Sequence, residues 1–366
     1  MLRSLKINNF RCFQQLTVTP LERVNLIAGK NNLGKTSLLE AIFIFINPTN
    51  PEALFQVNRL RGIPGKGSFE AIEAMRGFFF DQERNKIIEI STVEEKDRAR
   101  SLHIFLAESN SENNPEYTSV LDENIPGIFP ANQSLTTEVR SYDRLVLEYQ
   151  DKTDEKNISR VYWQAGYQGR ETSFRKIRRE KFPLGIYITS STRSPKEDAE
   201  RFSKLERVGR QAEVLETLRL LEPRLQRLSL LVVDGEPIIH GDLGMSELVP
   251  LPLMGEGVGR LLSIILAIAQ AQCGTILIDE IENGLHYSVM TDVWKAIADA
   301  ARRADAQIFA TTHSQECIRA AHRAFDTRET YDFRYHRLEL VKDEIQAVTY
   351  DRETLATSDE MDLEMR

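Results

Sequence analysis

The interpretation of this chain starts from one stretch, Val24-Asn25-Leu26-Ile27-Ala28-Gly29-Lys30-Asn31-Asn32-Leu33-Gly34-Lys35-Thr36. A short apolar run comes before the pattern Gly-x-x-x-x-Gly-Lys-Thr, and apolar residues at a spacing of three and four follow it as far as Ile46. This order of strand, loop and helix is the setting that a phosphate-binding P-loop requires. We therefore predict that the stretch binds a nucleotide.

The residue types of this loop explain its predicted chemistry. Glycine at positions 29 and 34 lets successive N–H groups face a phosphate, and the helix that begins near Lys35 adds the partial positive charge of its N-terminus. Lys35 is expected to reach the β- and γ-phosphates, and the hydroxyl of Thr36 is expected to bind Mg²⁺. The predicted nucleotide-binding residues are Gly29, Lys30, Asn31, Asn32, Leu33, Gly34, Lys35, Thr36 and Ser37.

A second apolar run, residues 274–278, ends in the carboxylates Asp279 and Glu280. A continuously apolar strand is typical of the centre of a parallel sheet covered on both faces, and ligands of such sheets lie at the carboxyl ends of the strands. We predict that Asp279 holds Mg²⁺ and that Glu280 orients or deprotonates the attacking water. A further segment, residues 307–312, is predicted to be a buried strand and ends at His313.

A glycine-rich turn comes before the apolar run 261–271, which has the pattern of a helix. Its sequence is Gly255-Glu256-Gly257-Val258-Gly259-Arg260. Because the N-terminus of a helix attracts anions, the turn predicts a second phosphate-binding site.

The composition of the chain narrows its class. Its 366 residues, 41% of them hydrophobic, can form one elaborated domain or two lobes. A net charge of −8 disfavours nucleic-acid binding over the whole surface, because phosphate contacts need concentrated Lys and Arg. No apolar run reaches the roughly 18 residues of a membrane helix, and we predict a cytoplasmic protein that does not enter the membrane. Cys12, Cys273 and Cys317 have no metal-ligand spacing and are predicted to be reduced core thiols.

The remaining sequence predicts strands on either side of the P-loop and helices in the second half. Strands are expected at 2–10, 16–20, 184–190 and in hairpins at 229–240 and 334–351, with an antiparallel β insertion at 86–166 that contains a long loop at 109–137. Helices are expected at 51–61 and 68–79 and along the apolar positions Leu205, Val208, Ala212, Leu215, Leu218 and Leu221.

A basic stretch at residues 170–181 holds six basic and two acidic side chains. It is either a ridge that contacts DNA or a solvated face, and both interpretations stay open at this point. The candidate DNA contacts are Arg175, Lys176, Arg178 and Arg179.

The segment Leu5-Lys6-Ile7-Asn8-Asn9-Phe10-Arg11-Cys12-Phe13 resembles the N-terminal strand of RecF, SMC and OLD-type ABC ATPases, and the later motifs follow in the same order. The resemblance implies an α/β fold, a P-loop NTPase head of the ABC type with an antiparallel β insertion and a helical lobe. The expected parts are an N-terminal lobe with the P-loop at 1–85, the β-rich insertion at 86–183, a helical lobe with a hairpin at 184–254, and the remaining motifs at 255–366.

The same resemblance implies roles for residues outside the P-loop. Arg11 is expected near the nucleotide, and Gly255, Glu256 and Gly257 match the signature sequence that caps the γ-phosphate bound by the opposite subunit. Asn283 lies in the segment that resembles the D-loop of the OLD branch. His313 matches the switch histidine that senses the γ-phosphate.

These motifs imply an ATPase that binds ATP and Mg²⁺ between the subunits of a homodimer or higher homo-oligomer. We expect it to act on a separately encoded effector protein, in anti-phage defence. The TOPRIM nuclease of OLD proteins does not fit in the sequence after His313, so we expect no nuclease. The alternatives are a nucleotide-dependent scaffold with negligible turnover and a RecF-like DNA-repair ATPase. A P-loop kinase is disfavoured by the Asp-Glu pair.

Overall fold

The computed structural model of this protein contains two large sheets, with helices packed between and around them. It describes residues 1–63, 74–83, 85–95, 98–108, 142–151, 158–164, 173–176, 182–190, 194–361 and 364. The strands are β1 (Leu2–Phe10), β2 (Phe13–Val18), β3 (Val24–Gly29), β4 (Ile88–Glu94), β5 (Ala99–Glu108), β6 (Tyr142–Asp151), β7 (Ile158–Gln164), β8 (Ser173–Lys176), β9 (Gly185–Ile188), β10 (Arg227–Val233), β11 (Glu236–Asp242), β12 (Val249–Pro250), β13 (Thr275–Ile278), β14 (Gln307–Thr311), β15 (Phe333–Val341) and β16 (Glu344–Tyr350).

The helices of the described residues lie mostly in the second half of the chain. They are α1 (Lys35–Ile46), α2 (Glu52–Leu60), α3 (Pro195–Glu206), α4 (Gln211–Leu218), α5 (Glu256–Gln270), α6 (Met290–Ala304), α7 (Gln315–Asp326) and α8 (Arg352–Glu360). None of them is long and apolar enough to span a membrane.

The six-stranded sheet has the order β16-β15-β3-β14-β13-β9, and its strands are parallel except for β16. Alternate residues enter different cores: Leu26 and Ile278 face α5, α6 and α7, whereas Ile27 and Leu277 face α1. Burial on both faces explains why β13 is continuously apolar from Ile276 to Ile278, and the prediction of a central parallel strand before Asp279 is confirmed.

The seven-stranded sheet is antiparallel and has the order β2-β1-β4-β5-β6-β7-β8. The alternating patterns at 86–93, 100–107, 144–149 and 159–165 are confirmed as strands. These strands extend the sheet that β1 and β2 begin, and one face of the sheet packs on α1. The helix after the P-loop therefore lies between the two sheets. The division of the chain at residues 85, 183 and 254 stays a prediction.

The prediction of a single amphipathic helix that runs from Leu205 to Leu221 is wrong. One helix, α3, ends at Glu206, and α4 begins only at Gln211. Gly209 between them has φ +71°, the left-handed conformation that ends helices, and Val208 is 67% exposed. The pattern also missed the start of α3, where Ser194 accepts a hydrogen bond from the Glu197 N–H directly before Pro195.

Other local expectations have mixed outcomes. The Asp234-Gly235 hairpin and the C-terminal hairpin are confirmed as β10–β11 and β15–β16. Among the cysteines Cys317 is buried and Cys12 half-buried, but Cys273 is exposed, so its interpretation as a core thiol is wrong. The helix expected at 68–79 lies partly outside the described residues, and the loop expected at 109–137 lies wholly outside them.

Candidate nucleotide-binding site

A cavity of about 980 Å³ opens at the carboxyl ends of the parallel strands. The loop between β3 and α1 forms its floor, and the turns after β13 and β14 form one side. Its lining residues in the described chain are Cys12, Gly29, Lys30, Asn31, Asn32, Gly34, Lys35, Thr36, Ser37, Arg61, Glu280, His313 and Glu364. Most of the predicted P-loop residues therefore share one cavity with Glu280 and His313, which are distant in sequence.

The floor of the cavity depends on positive backbone angles. Gly29 has φ +139° and Gly34 has φ +85°, and Asn32 between them has φ +64°. A Cβ on Gly34 would lie 2.5 Å from the Cys12 sulfur and 2.6 Å from the ring of Phe13. Glycine is thus required at position 34 both by its backbone angle and by the close approach of the β1–β2 turn.

The Lys35 side chain lies inside the P-loop and contacts its backbone. Its Nζ donates hydrogen bonds to the carbonyl oxygens of Gly29 at 2.7 Å and Lys30 at 3.0 Å, and the residue is only 5% exposed. Burial lowers the pKa of Lys35, and the negative charge of Asp279 acts in the opposite direction. The loop therefore holds an ammonium group directly beneath the cavity.

Thr36 in the first turn of α1 and Asp279 directly after β13 bring hard oxygen ligands together. The Thr36 hydroxyl lies 3.1 and 3.3 Å from the two carboxylate oxygens of Asp279. Thr311, at the end of β14, donates a further hydrogen bond to Asp279 at 2.6 Å and fixes the carboxylate. A hydroxyl beside a carboxylate fits Mg²⁺, which usually takes one or two protein ligands together with phosphate and water oxygens. The described residues contain no cluster of three or more His, Cys, Asp or Glu side chains suited to a metal.

Glu280 lies at the cavity wall with φ +48°. One of its carboxylate oxygens accepts a hydrogen bond from the Asn283 amide at 2.8 Å, and the other lies 3.4 Å from Nε2 of His313. The side chain is about one-third exposed, so it is open to solvent from the cavity. The geometry allows this carboxylate to contact a water in the cavity while its neighbours hold its orientation.

The helix after the glycine-rich turn begins earlier than expected. We predicted a turn at 255–260 and a helix from 261, whereas α5 begins at Glu256, directly after Gly255 with its φ of +104°. Arg260 is therefore a helical residue, and its guanidinium is buried against the ends of β9 and β13. It donates hydrogen bonds to the carbonyl oxygens of Thr189 and Asp279 at 2.5 Å and of Glu280 at 3.2 Å.

Arg260 was missed as a site residue because its sequence position gives no sign of its partners. Burial lowers its pKa, with the charges of Asp279 and Glu280 opposing this. The guanidinium holds the backbone that carries both carboxylates, while the described part of the cavity lining does not include it. A lone arginine at the head of an apolar helical run was the only signal available.

Arg11 was expected near the nucleotide, but Arg61 is the arginine found among the described residues that line the cavity. The Arg11 side chain lies over the ring of Phe78 and pairs with the buried carboxylate of Glu40 at 2.6 Å, and among described residues it is not part of the cavity lining. Arg61 lines the cavity instead, donating to Glu40 at 2.5 and 3.0 Å and to the Ser37 hydroxyl at 3.3 Å. Nothing in the Gly- and Pro-containing sequence around Arg61 pointed to it.

The predicted signature residues do not join this cavity. Gly255, Glu256 and Gly257 are absent from its described lining, as is Leu33. Gly257 packs against the turn after β13, where an added Cβ would lie 2.4 Å from the carbonyl oxygen of Gly284. The second candidate anion site is therefore separate from the P-loop cavity of the same chain.

The parallel sheet, the P-loop after β3 and the acidic pair after β13, with β14 between these two strands, define a P-loop ATPase with the fold of an ABC-type ATPase head. Residues 24–319 match the family described as "AAA domain, putative AbiEii toxin, Type IV TA system", and the chain belongs to this family.

Individual relatives agree with this assignment. The chain is 25% identical over 334 residues to a Helicobacter pylori protein named ATP/GTP phosphatase, covering 87% of this chain and 86% of the relative. It is 42% identical over 43 residues, 12% of each chain, to the DNA replication and repair protein RecF of Idiomarina loihiensis. Its fold is similar to a solved SMC head bound to the C-winged helix domain of ScpA, with a TM-score of 0.52, 13% identity and coverage of 97% and 99%. The family and the phosphatase relative support ATPase activity, and the protein is an ATPase.

Proposed function

We propose that this ATPase hydrolyses ATP with Glu280 as the general base and couples each cycle to the opening and closing of a dimer. The observation that carries the proposal is the convergence of three loops, which bring Lys35, Thr36, Asp279, Glu280 and His313 to one edge of the parallel sheet. A lysine, an oxygen pair suited to a metal and a carboxylate open to the cavity are the groups that phosphoryl transfer to water requires.

Each group has a distinct task in this mechanism. The Lys35 ammonium exchanges its loop carbonyls for the β- and γ-phosphate oxygens of the nucleotide. Thr36 and Asp279 would hold Mg²⁺, which when bound neutralises phosphate charge. Glu280 accepts a proton from the attacking water. His313, whose Nε2 lies 3.4 Å from Oε1 of Glu280, contacts the γ-phosphate.

The dimer is supported by the separation of the two candidate phosphate sites. Because Gly255, Glu256 and Gly257 do not line the cavity of their own chain, they are available to a nucleotide held by a second copy. Apolar side chains flank them on the surface: Leu253 is 75% exposed and Tyr287 is 67% exposed. A homodimer would cover these side chains, and larger homo-oligomers can be built on the same contact.

We expect the substrate range to include both ATP and GTP. No Phe, Tyr or Trp side chain is among the described residues that line the cavity, so none of these rings selects a base by stacking in that part of the chain. The name of the Helicobacter pylori relative, ATP/GTP phosphatase, supports the same range. We expect ATP and GTP to be hydrolysed at similar rates.

The cycle acts on a separate effector protein in the cytoplasm, in a defence or toxin–antitoxin setting. The wording of the matching family supports this setting, and the SMC head bound to part of ScpA is a precedent for a head of this fold with a protein partner. A role in DNA repair is the second candidate, favoured by the short RecF match.

The substitution Glu280→Gln tests the mechanism. The amide keeps the shape of the side chain but cannot accept the proton, so multiple-turnover phosphate release should fall by about 10²- to 10⁴-fold. ATP binding should persist, and light scattering after size exclusion should show an ATP-dependent dimer. Turnover at the wild-type rate would exclude Glu280 as the base.

Mixing two inactive variants tests the shared site. Lys35→Ala removes the P-loop lysine and Gly257→Asp blocks the signature turn, so each homodimer has no intact site. A mixed dimer has one, and ATPase activity should reappear on mixing. Its absence, with heterodimers shown to form, would exclude a nucleotide bound between subunits.

A further inference from the structure

Glu282 links the turn after β13 to the turn after β14. Its Oε1 accepts a hydrogen bond from the backbone N–H of His313 at 2.7 Å. The two strands are parallel neighbours with Ile278 opposite Ala310, so both turns leave the sheet at the same edge. The backbone of the histidine is thus held by a side chain from the turn after the adjacent strand.

The ring of the same histidine faces Glu280. Its Nε2 lies 3.4 Å from Oε1 of that carboxylate, while the Asn283 amide holds Oε2 at 2.8 Å. One oxygen of Glu280 is therefore held directly, and the other faces a ring whose backbone Glu282 anchors. We infer that Glu282 is a positioning residue, which sets where the His313 ring lies relative to Glu280 and the γ-phosphate. This inference rests on the proposed roles of Glu280 and His313.

The second carboxylate oxygen of Glu282 helps to distinguish two roles for this residue, positioning of His313 and an electrostatic effect on Lys35. Oε2 is buried and has no hydrogen-bond partner in the described part of the chain. Among the described contacts only Oε1 accepts a directed hydrogen bond, so an amide in place of the carboxylate can keep that contact, while it removes the charge and places an NH2 group where Oε2 lies. The charge itself acts on Lys35 and Arg260, because it opposes the lowering of their pKa by burial. Positioning of His313 and a purely electrostatic effect on Lys35 therefore predict different results for a glutamine.

Two substitutions separate these effects. Glu282→Ala removes the acceptor and the charge, and we expect kcat to fall about tenfold with little change in KM, the loss of roughly one hydrogen bond to a charged acceptor. Glu282→Gln retains the acceptor oxygen and should return kcat to within about threefold of wild type. Glu329→Ala, at an exposed glutamate, is the matched control. Equal losses in the alanine and glutamine variants, with weaker ATP binding, would overturn the positioning role.

A double-mutant cycle with His313→Ala supplies the readout that a merely structural residue would not move. If Glu282 acts through the histidine, Glu282→Ala adds no further loss of kcat to His313→Ala. Additive losses would overturn the inference while leaving the proposed function standing. A wild-type rate for His313→Ala alone would instead refute the proposed role of the histidine, and this inference with it. Should Glu282→Ala fail to fold, Glu282→Asp, whose shorter carboxylate withdraws the acceptor, takes its place in the cycle.

Discussion

The two sheets contribute very differently to the nucleotide site. The loops at the carboxyl ends of β3, β13 and β14 provide nearly all of the described cavity lining, whereas the seven-stranded sheet contributes only Cys12, from the turn between β1 and β2. Parallel strands place all their carboxyl ends at one edge, whereas antiparallel strands alternate their ends. The comparison teaches that one sheet carries the chemistry, and that the other reaches the described part of the ATP site only through its β1–β2 turn.

The largest expected effect comes from the sheet that carries the chemistry. Lys35→Ala removes the only described lysine ammonium that is bonded to the P-loop carbonyls, and ATP hydrolysis should fall by about 10²-fold or more. Thermal melting should change little, because the contacts of the ammonium are confined to its own loop. Phosphate release and a melting curve measure the two properties, with exposed Lys196→Ala as the control. Wild-type turnover would remove the P-loop from the mechanism.

An intermediate effect is expected where the two sheets meet. Gly34→Ala adds a Cβ 2.5 Å from the sulfur of Cys12, and Gly209→Ala adds one at a similar positive φ with nothing within 4 Å. The control should lose about 1 kcal/mol of unfolding free energy to backbone strain alone. The Gly34 variant should lose roughly 1–3 kcal/mol more, from displacement of Cys12 and Phe13.

Urea unfolding of both glycine variants measures the difference between their free energies of unfolding. ATP affinity should weaken only in the Gly34 variant. Equal destabilisation would mean that the β1–β2 turn yields to the extra carbon. The junction between the two sheets would then be less tightly packed than the structure indicates.

The smallest effect on hydrolysis is expected in the antiparallel sheet. Arg175 and Lys176 belong to β8, whose side chains are outside the described part of the structure, and Arg178 and Arg179 lie outside the described residues altogether. Replacing all four by alanine should leave ATP hydrolysis unchanged in the absence of DNA. If this stretch binds DNA, the salt dependence of binding should flatten for all sequences alike. An unchanged salt slope would identify a solvated face.

The sequence alone was sufficient for the parts of the protein that depend on local order. The P-loop, the carboxylates after β13 and the histidine after β14 are each predicted from a segment with the pattern of a buried strand and the residues directly after it. Period-two alternation likewise predicted β4, β5, β6 and β7 of the antiparallel sheet, although not β8, and the Asp234-Gly235 turn predicted the β10–β11 hairpin of a separate three-stranded sheet. These signals are local because the backbone conformation of a strand or tight turn is set by neighbouring residues.

Only the tertiary structure decided which side chains meet. Arg61 rather than Arg11 lines the cavity, and Arg260 secures the acidic turn from a helix that begins five residues earlier than its apolar pattern suggested. Glu282 likewise finds its partner, the N–H of His313, in the turn after β14. Such pairings depend on sheet order and on the packing of α1 and α5 against the strands, which bring together residues far apart in the chain. A guanidinium or carboxylate can reach several partners, and the fold selects among them through burial and distance.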